Sequence, residues 1–302
     1  MPVRQLRRIG PVAGQSLHDR MRASPLHVVY WRRWMDALER KHKDLIIEDG
    51  ENILAAEGHG ERKLLYSFES DLAFADRFPP MFEQLLPRLR QKLGDGSLRL
   101  RLSYFPARPM VEPVLKRLSF APVRDWFEFT LDRATKLPAA PAPRGVRFRE
   151  GGLADVAALL RVDRECFPDT PMLPEGMRAS IKQGEQVLVA ERGGEIVGFC
   201  LYSQPDPGAG FLHAVAVAEA HRVQGIGAAL TTRACKRLIA EGARAVSLTT
   251  DQDNGSAIRL YRRLGFKQTR AGRDYTRPTD PTEVEALQTA KRGTLIRFGG
   301  WR

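Results

Sequence analysis

The residues best suited to chemistry in this 302-residue chain lie in one turn, Arg222-Val223-Gln224-Gly225-Ile226-Gly227-Ala228. An apolar run, 211–217, predicts a strand before the turn, and an amphipathic run, 225–241, predicts a helix after it. The two glycines let the backbone approach a ligand closely because they have no Cβ. The first amides of a helix are unpaired and lie at the positive end of its dipole, so such a turn can hold phosphate. The side chain of Arg222 adds a cation.

Two nucleotide-binding patterns compete for this turn, and both are incomplete. The dinucleotide fingerprint needs a third glycine, and the P-loop needs Gly-Lys-Ser or Gly-Lys-Thr. Neither follows Gly227. A glycine-rich turn without any ligand is the alternative interpretation of the turn taken alone.

A second block of residues follows the predicted helix. The β-branched run 245–249 predicts a buried strand. Residues 253–256, Asp-Asn-Gly-Ser, are typical of a turn and a helix N-cap. A short helix is predicted over 257–264 and ends at Gly265, which suits a left-handed C-cap. Another strand begins with residues 266–268.

The two blocks together resemble a known family. Arg-x-x-Gly-x-Gly/Ala at 222–228 is similar to the pyrophosphate loop of the Gcn5-related N-acetyltransferases (GNAT). Asn-x-x-Ala-x-x-x-Tyr-x-x-x-Gly-Phe at 254–266 resembles the last block of that family. The resemblance implies an acyltransferase that moves an acetyl group from acetyl-coenzyme A directly to an amine of a small molecule or peptide. The alternative is a non-catalytic acyl-coenzyme A sensor or protein-interaction module that retains the fold.

The resemblance also implies roles for individual residues. In the family the strand before the loop splays from its neighbour, so Val215, Ala216 and Val217 are expected to line the pantetheine arm. The diphosphate is expected to lie against the loop, formed by Arg222, Val223, Gln224, Gly225, Ile226, Gly227 and Ala228. Asn254 corresponds to a cofactor contact and Tyr261 to the general acid that protonates the leaving thiolate. A packing role is the alternative for Tyr261.

The general base is predicted to be His213. Strand alternation predicts that His213 lies on the same face as Val215 and Val217. An imidazole titrates near working pH, so it can accept a proton directly or through water. A buried structural histidine is the alternative. Glu165 and Asp169 are the reserve candidates, and ordinary solvated carboxylates are the alternative for both.

Composition limits the class of protein. The chain is 43% hydrophobic and 28% charged, which is typical of a soluble globular protein. No apolar run approaches the roughly 20 residues of a membrane span, and the basic start of the chain lacks the apolar stretch of a secretion signal. Cys166, Cys200 and Cys235 are far apart and show no metal-binding spacing. We therefore expect a cytoplasmic protein without a metal and without a membrane partner.

The charge balance invites a nucleic-acid interpretation but does not favour it. The net charge is +12, and residues 1–140 and 141–302 each carry 24 Lys and Arg against 18 Asp and Glu. Positive charge is therefore spread rather than gathered into one stripe. Nucleic acid is not expected as a partner.

The chain is predicted to contain two domains. Residues 134–145 are rich in proline and alanine and predict a linker. The second domain, 146–278, shows the pattern β-α-α-β-β-β-α-β-α-β, with a hairpin at Gly193-Gly194. This order is that of a whole GNAT fold.

The first domain resembles a second copy of the same fold. At an offset of 146 residues, the predicted helix 82–93 aligns with 228–239, and the strand 98–103 aligns with 244–249. Residues 115–122 align with 261–268 in the same ungapped register. We therefore predict an α/β protein of two tandem GNAT folds, each a mostly antiparallel mixed sheet flanked by helices, with residues 1–133 as the degenerate copy.

The degenerate copy lacks the residues that would hold an anion. At the same offset Arg222 becomes Asp76, Gly225 becomes Pro79 and Gly227 becomes Met81. Leu115 and Arg108 stand in the places of Tyr261 and Asn254. One acetyl-coenzyme A site per chain is expected, in the C-terminal domain, with a structural role for the first copy. The extension 279–302 predicts a short helix over 281–290 and a strand over 294–298, which pack on the sheet or exchange between subunits of a homodimer.

Overall fold

A computed structural model of the protein describes residues 15–28, 32–57, 62–93, 97–103, 108–168 and 171–278. These residues form two compact units. The first unit contains the described residues up to Pro122 and those from Asp274 onward. The second unit contains Val123 to Arg273.

The first unit is built on a small mixed sheet. Strands β2, β3 and β4 pair antiparallel, β5 runs parallel to β4, and β1 pairs antiparallel with β4. The elements in chain order are α1 (Leu17–Ala23), β1 (Leu26–Val28), α2 (Arg32–Lys41), β2 (Ile46–Asp49), β3 (Asn52–Glu57), β4 (Arg62–Phe68), α3 (Asp71–Leu93), β5 (Ser97–Ser103) and α4 (Val111–Arg117). Strand β6 (Ala121–Asp132) follows, and all but its first two residues belong to the second unit.

Helix α3 supplies much of the core of the first unit. Its buried apolar residues recur at spacings of three and four, which places them on one face of the helix. Three of them, Phe74, Phe78 and Phe82, stack with ring centroids 4.4 Å and 5.7 Å apart. This apolar face is continuous through Pro79 and Pro80, so packing holds the helix together where the prolines remove backbone donors.

The second unit has the element order that the sequence predicts. The elements are β7 (Val146–Gly151), α5 (Val156–Cys166), α6 (Pro174–Lys182), β8 (Gln186–Arg192), β9 (Glu195–Asp206), β10 (Ala209–Val217), α7 (Ile226–Ala240), β11 (Ala245–Asp251), α8 (Gly255–Arg263) and β12 (Lys267–Pro278). The predicted hairpin between β8 and β9 is confirmed, because Gly193 and Gly194 both have positive φ, 60° and 85°.

The sheet of the second unit is flanked by helices on both faces. Its strands follow the order β6-β11-β10-β9-β8-β7, antiparallel except for the parallel pair β10 and β11. Helices α5 and α6 pack on one face, against residues such as Phe199 and Ala216. Helices α7 and α8 pack on the other, against residues such as Cys200 and Leu212. The predicted α/β fold class with a mixed sheet is confirmed.

The last strands do not follow the sequence repeat. Strand β6, which ends the predicted first copy, pairs with β11 from Trp126 opposite Asp251 to Asp132 opposite Ala245. The end of β12 belongs to the first unit, where Tyr275 lies in the core. Each unit is therefore completed by a strand that the repeat assigns to the other. The repeat boundaries at residues 133 and 146 stay a prediction.

The predicted linker, residues 134–145, forms neither a helix nor a strand, and it lies within the second unit. None of the helices in the described part of the chain is long and apolar enough to span a membrane. The predictions for the C-terminal extension, 279–302, lie outside the described residues.

Candidate active site

Strand β10 separates from β11 partway along its length. The parallel pairing covers Ala209–Phe211 against Ala245–Ser247. Strand β10 then continues to Val217 along β9 alone, while β11 continues to Asp251 along β6. Beyond Phe211, none of the described strands pairs with the β11-facing edge of β10, as the family resemblance implies. A backbone edge of this kind can accept an extended ligand that carries amides.

The turn after β10 leads directly into helix α7. Its N-cap is Gly225, which has a φ of 84° and no side-chain capping bond. Val223 also has a positive φ, 60°, and its side chain is fully exposed. A β-branched residue in this conformation is strained by about 1–3 kcal/mol. The first amides of α7 therefore face outward without a side-chain cap, next to a backbone held in an unfavourable conformation.

A cleft of about 700 Å³ joins this turn to helix α8. The predicted site residues that line it come from β10, the turn, and α8. They are Val215, Val217, Arg222, Val223, Gly225, Gly227, Ala228, Asn254 and Tyr261. Of the other predicted residues, Ala216 and Ile226 are buried in the core, and the amide oxygen of Gln224 accepts from Arg192 at 2.7 Å.

The described lining of the cleft is cationic. It contains Arg222, Arg259 and Arg263 together with His221, and it includes no aspartate or glutamate. The guanidinium Nε of Arg222 donates to the carbonyl oxygen of Val217 at 3.0 Å, which holds the side chain over the end of β10. Arginine side chains beside uncapped helix amides provide the positive charge and the hydrogen-bond donors that bind a diphosphate.

Tyr261 lies on α8 where the cleft meets the core. Its ring packs against Phe129 and Phe266, with centroids 6.1 Å and 5.7 Å away, and the side chain is mostly buried. Burial raises the pKa of Tyr261 above its usual value. The phenol therefore keeps its proton across the working pH range and can act as a proton donor.

Asn254 is the N-cap of helix α8 and also lines the cleft. Its Oδ1 accepts from the amide of Ala257 at 3.1 Å and from the hydroxyl of Ser256 at 3.0 Å. Because both bonds use the oxygen, the Nδ2 group is the part of the side chain suited to donate to a ligand.

The predicted position of His213 relative to Val215 and Val217 is wrong. A β-bulge shifts the register between Leu212 and Ala214, so His213 is an extra residue against β9. Leu212 and Val215 consequently pack on the same face, with α7. Nε2 of His213 lies 2.8 Å from Oγ of Ser203, on the opposite face. The bulge breaks the alternation on which the prediction depended.

His213 belongs to a buried polar cluster rather than to the lining of the cleft. Its Nε2 lies 4.0 Å from Oε1 of Glu185, and the side chains of both residues are 2% exposed. Ser203 is also buried. The rings of His213 and Phe211 meet edge to face at 5.1 Å. The cluster lies where β10 leaves β11, beside the start of the open edge.

The reserve candidate Glu165 is not brought into this cluster. The carboxylate of Glu165 accepts from the amide of Glu219 and so caps the turn before the glycine loop, residues 222–228. Asp169 lies outside the described residues. Within those residues, no group of His, Cys, Asp and Glu could hold a metal ion.

Sequence reasoning missed part of the cleft. Ser256, Leu260 and Arg263 recur at helical spacing around Tyr261, so the period of α8 could have identified that wall. Cys166 and Phe167 form the wall that faces the glycine loop. The thiol of Cys166 donates to the carbonyl oxygen of Val217 at 3.3 Å. Fifty-one residues separate them in sequence, and no local pattern predicts such a contact.

The first unit has no counterpart of the glycine loop. Helix α3 runs without a break from Asp71 to Leu93, so residues 76–81 are helical. In the second unit the corresponding segment is the turn before α7. The amides of a helix interior are used within the helix, so this segment lacks outward-facing donors.

Most of the second unit is similar to a known protein family. Residues 154–266 match the model of the acetyltransferase (GNAT) family. This range begins just before α5 and ends just after α8, so it contains the described residues that line the cleft.

Relatives of known name cover a larger part of the chain. A mycothiol acetyltransferase of Sanguibacter keddieii is 30% identical over 197 residues, which are 58% of this chain and 62% of the relative. A mycothiol acetyltransferase of Parafrankia sp. is 34% identical over 47% of this chain and 52% of the relative. The chain thus spans between half and two thirds of the length of these relatives.

Solved structures share the fold. A GCN5-related N-acetyltransferase of Sphaerobacter thermophilus aligns with a TM-score of 0.62 at 20% identity, over 77% of this chain and 78% of that one. A tandem GNAT protein of the clavulanic acid biosynthesis pathway aligns with a TM-score of 0.57 at 14% identity, over 78% of this chain and 82% of that one.

Proposed function

We propose that this chain, whose residues 154–266 match the acetyltransferase (GNAT) family model, transfers an acetyl group from acetyl-coenzyme A to a primary amine. The observation that carries this proposal is a single cleft that extends from the uncapped start of α7 to the phenol of Tyr261. A long anionic thioester fits such a cleft with its diphosphate at one end and its reacting group at the other.

Different residues of the cleft would bind different parts of acetyl-coenzyme A. Arg222 and the amides from Gly225 to Ala228 would hold the diphosphate. The open edge of β10 at Val215–Val217 would pair with the amides of the pantetheine arm. Asn254 would donate to the cofactor through its Nδ2 group. The fit is supported by the lack of a carboxylate among the described lining residues.

Acetyl-coenzyme A supplies the activated thioester, and the chain would supply two proton transfers. His213 would take a proton from the ammonium of the acceptor through water, since its side chain is buried outside the lining of the cleft, and the free amine would attack the carbonyl carbon. The carbon–sulfur bond would then break, and Tyr261 would give its phenolic proton to the thiolate. The second proton lost by the nitrogen would restore the phenol. Amides on the open edge of β10 stabilise the negative charge on the carbonyl oxygen.

The buried residues Glu185 and Ser203 would stabilise the protonated form of His213 and orient its ring. The carboxylate of Glu185, 4.0 Å from Nε2, favours the imidazolium that forms when His213 accepts a proton. The hydroxyl of Ser203 fixes the orientation of the ring at 2.8 Å. We assign Glu185 and Ser203 as positioning residues, since they act through His213.

The proposal includes one cofactor site per chain, in the second unit. It is supported by the unbroken helix α3, which occupies the place of a glycine loop in the first unit. Equilibrium titration with coenzyme A should give one mole bound per mole of chain. Two equivalent sites would contradict the assignment.

The experiment that tests the activity is a panel of primary amines with release of free thiol as the readout. The panel should contain amino acids, polyamines, aminoglycosides, a peptide with a free N-terminus and the acceptor of the mycothiol acetyltransferases. Thiol release that depends on one amine class, with acetylated product in equal amount, is the expected result. Binding of coenzyme A without transfer to any amine would favour the sensor alternative instead.

A further inference from the structure

The two units share one detail of strand pairing. In the first, Arg62–Leu64 of β4 pair in parallel with Leu98–Leu100 of β5. In the second, Ala209–Phe211 of β10 pair in parallel with Ala245–Ser247 of β11. Each strand of the second pair lies 147 residues after its counterpart, one residue from the offset in the sequence. The two ladders are the same length and occupy equivalent places.

Beyond the ladder the two units differ. In the second unit β10 runs on to Val217 with its β11-facing edge unpaired to any described strand. In the first unit strand β1 pairs with the continuation of β4, with Leu26, His27 and Val28 opposite Phe68, Ser67 and Tyr66. At the same offset of 147 residues, Tyr66 to Phe68 correspond to His213 to Val215. Strand β1 therefore lies against the counterpart of the start of the open edge of β10, and it reaches the position of Val215, the first residue that we assign to the pantetheine arm.

Side chains hold β1 in this position. Leu26 is 2% exposed and belongs to the core of the first unit. The hydroxyl of Ser67 on β4 donates to the carbonyl oxygen of Met21 at 3.0 Å, in a buried hydrogen bond that ties β4 to α1. Nδ1 of His27 lies 2.6 Å from the carbonyl oxygen of Ser24, just before β1. These contacts make β1 part of the folded unit.

We propose that β1 takes the place of the cofactor arm in the first unit and closes its groove to extended ligands. The open strand edge that the second unit would present to coenzyme A is filled in the first unit by three residues of the same chain. The first unit thus completes its sheet without a ligand. The inference rests on the proposed function only in naming coenzyme A as the ligand whose place β1 takes.

Amide hydrogen exchange with and without coenzyme A tests the proposal on the full chain. Peptides that cover residues 212–217 should exchange more slowly when coenzyme A is added, because the ligand pairs with the open edge of β10. Peptides that cover 64–68 should exchange at the same rate in both conditions. Protection of 64–68 by coenzyme A would overturn the inference about β1, whereas lack of protection at 212–217 would count against the proposed cofactor site alone.

Two proline variants test the pairing itself. Neighbouring residues of an antiparallel strand alternate in bonding, so His27→Pro or Val28→Pro removes an amide that faces β4. At least one of them should speed exchange at 64–68 severalfold and leave 212–217 unchanged. Val28→Ala keeps the amide and the His27 contact and should match the parent chain. If neither proline changes exchange at 64–68, β1 does not hold that edge. Should both variants fail to fold, the comparison with and without coenzyme A still decides the question.

Discussion

Glu185, which directly precedes β8, and His213 of β10 are brought together, with Oε1 of Glu185 4.0 Å from Nε2 of His213 and both side chains 2% exposed. The β-bulge after Leu212 makes this possible, because it places His213 on the face where Ser203 lies. A carboxylate at this distance from an imidazole stabilises the protonated ring.

Replacement of that carboxylate should slow transfer without weakening cofactor binding. In Glu185→Gln the shape is retained but the charge is lost, so the imidazolium is less favourable and kcat should fall by about tenfold or more. The KM for acetyl-coenzyme A should stay within about twofold, since the cleft is untouched. Steady-state thiol release measures both. The exposed residue Glu195, in Glu195→Gln, is the matched control. A Glu185→Gln protein that is less heat-stable but has the parent kcat would reduce Glu185 to a structural role.

Removal of the phenol should affect chemistry alone. Tyr261→Phe keeps the ring packing against Phe129 and Phe266, so coenzyme A should bind as in the parent. Loss of the general acid should lower kcat by about 10²–10⁴-fold. Tyr202→Phe is the control, because Tyr202 is a buried tyrosine of the same unit whose hydroxyl accepts from Arg237 at 3.1 Å. If Tyr261→Phe turned over at the parent rate, the thiolate would take its proton from another group.

A pair of glycine variants separates backbone strain from cofactor binding. Gly225 and Gly194 have nearly the same φ, 84° and 85°, and an added Cβ clashes at neither position. Alanine at either site should cost about 1–2 kcal/mol of stability. Only Gly225→Ala changes the helix start beside the cleft, so it alone should weaken coenzyme A binding, by about tenfold or 1.4 kcal/mol. Calorimetric titration of both variants checks this, and equal affinities would remove Gly225 from the cofactor site.

The buried thiols should make the protein less stable at alkaline pH. Burial raises the pKa of Cys235 to about 12 and raises that of Cys200 as well. In the unfolded chain a thiol ionises near pH 8.5. The contribution of each protonated thiol to the free energy of unfolding is therefore complete below that pH. Above it, this contribution declines by up to about 1.4 kcal/mol per pH unit for each thiol. Urea unfolding under reducing conditions at pH 8, 9 and 10 measures the slope. Cys235→Ala should reduce the slope by the contribution of one thiol, and an unchanged slope would contradict the assignment.

The sequence predicted the second unit almost element by element because its signals are local. Turn glycines at Gly193 and Gly225, the cap at Asn254 and the apolar periods each depend on a few neighbouring residues. The position of His213 was predicted wrongly for a physical reason, since one inserted residue reverses the faces of a strand and leaves no mark in the pattern. The first half of helix α3, before the predicted helix 82–93, was likewise hidden, because stacking of Phe74, Phe78 and Phe82 outweighs the prolines only once the core is formed.

Distance in the chain explains what else was missed. The wall formed by Cys166 and Phe167 meets the glycine loop only after the sheet has brought α5 beside β10. Strand β1 has three residues, too few for a periodic signal, and its place becomes visible only through its pairing with β4. Local chemistry was therefore predictable, whereas contacts between distant segments had to be observed.

The assignment of β6 to the second unit bears on why a copy without a cofactor loop persists. Residues 123–132 lie in the first copy by sequence, yet they form the strand next to β11 in the unit that carries the cleft. A gene shortened to its second copy would encode a sheet with an exposed edge along β11. Under the proposed function, selection for the cleft would therefore also preserve β6, and a protease cut within 134–145 would leave neither fragment with all the strands of a unit.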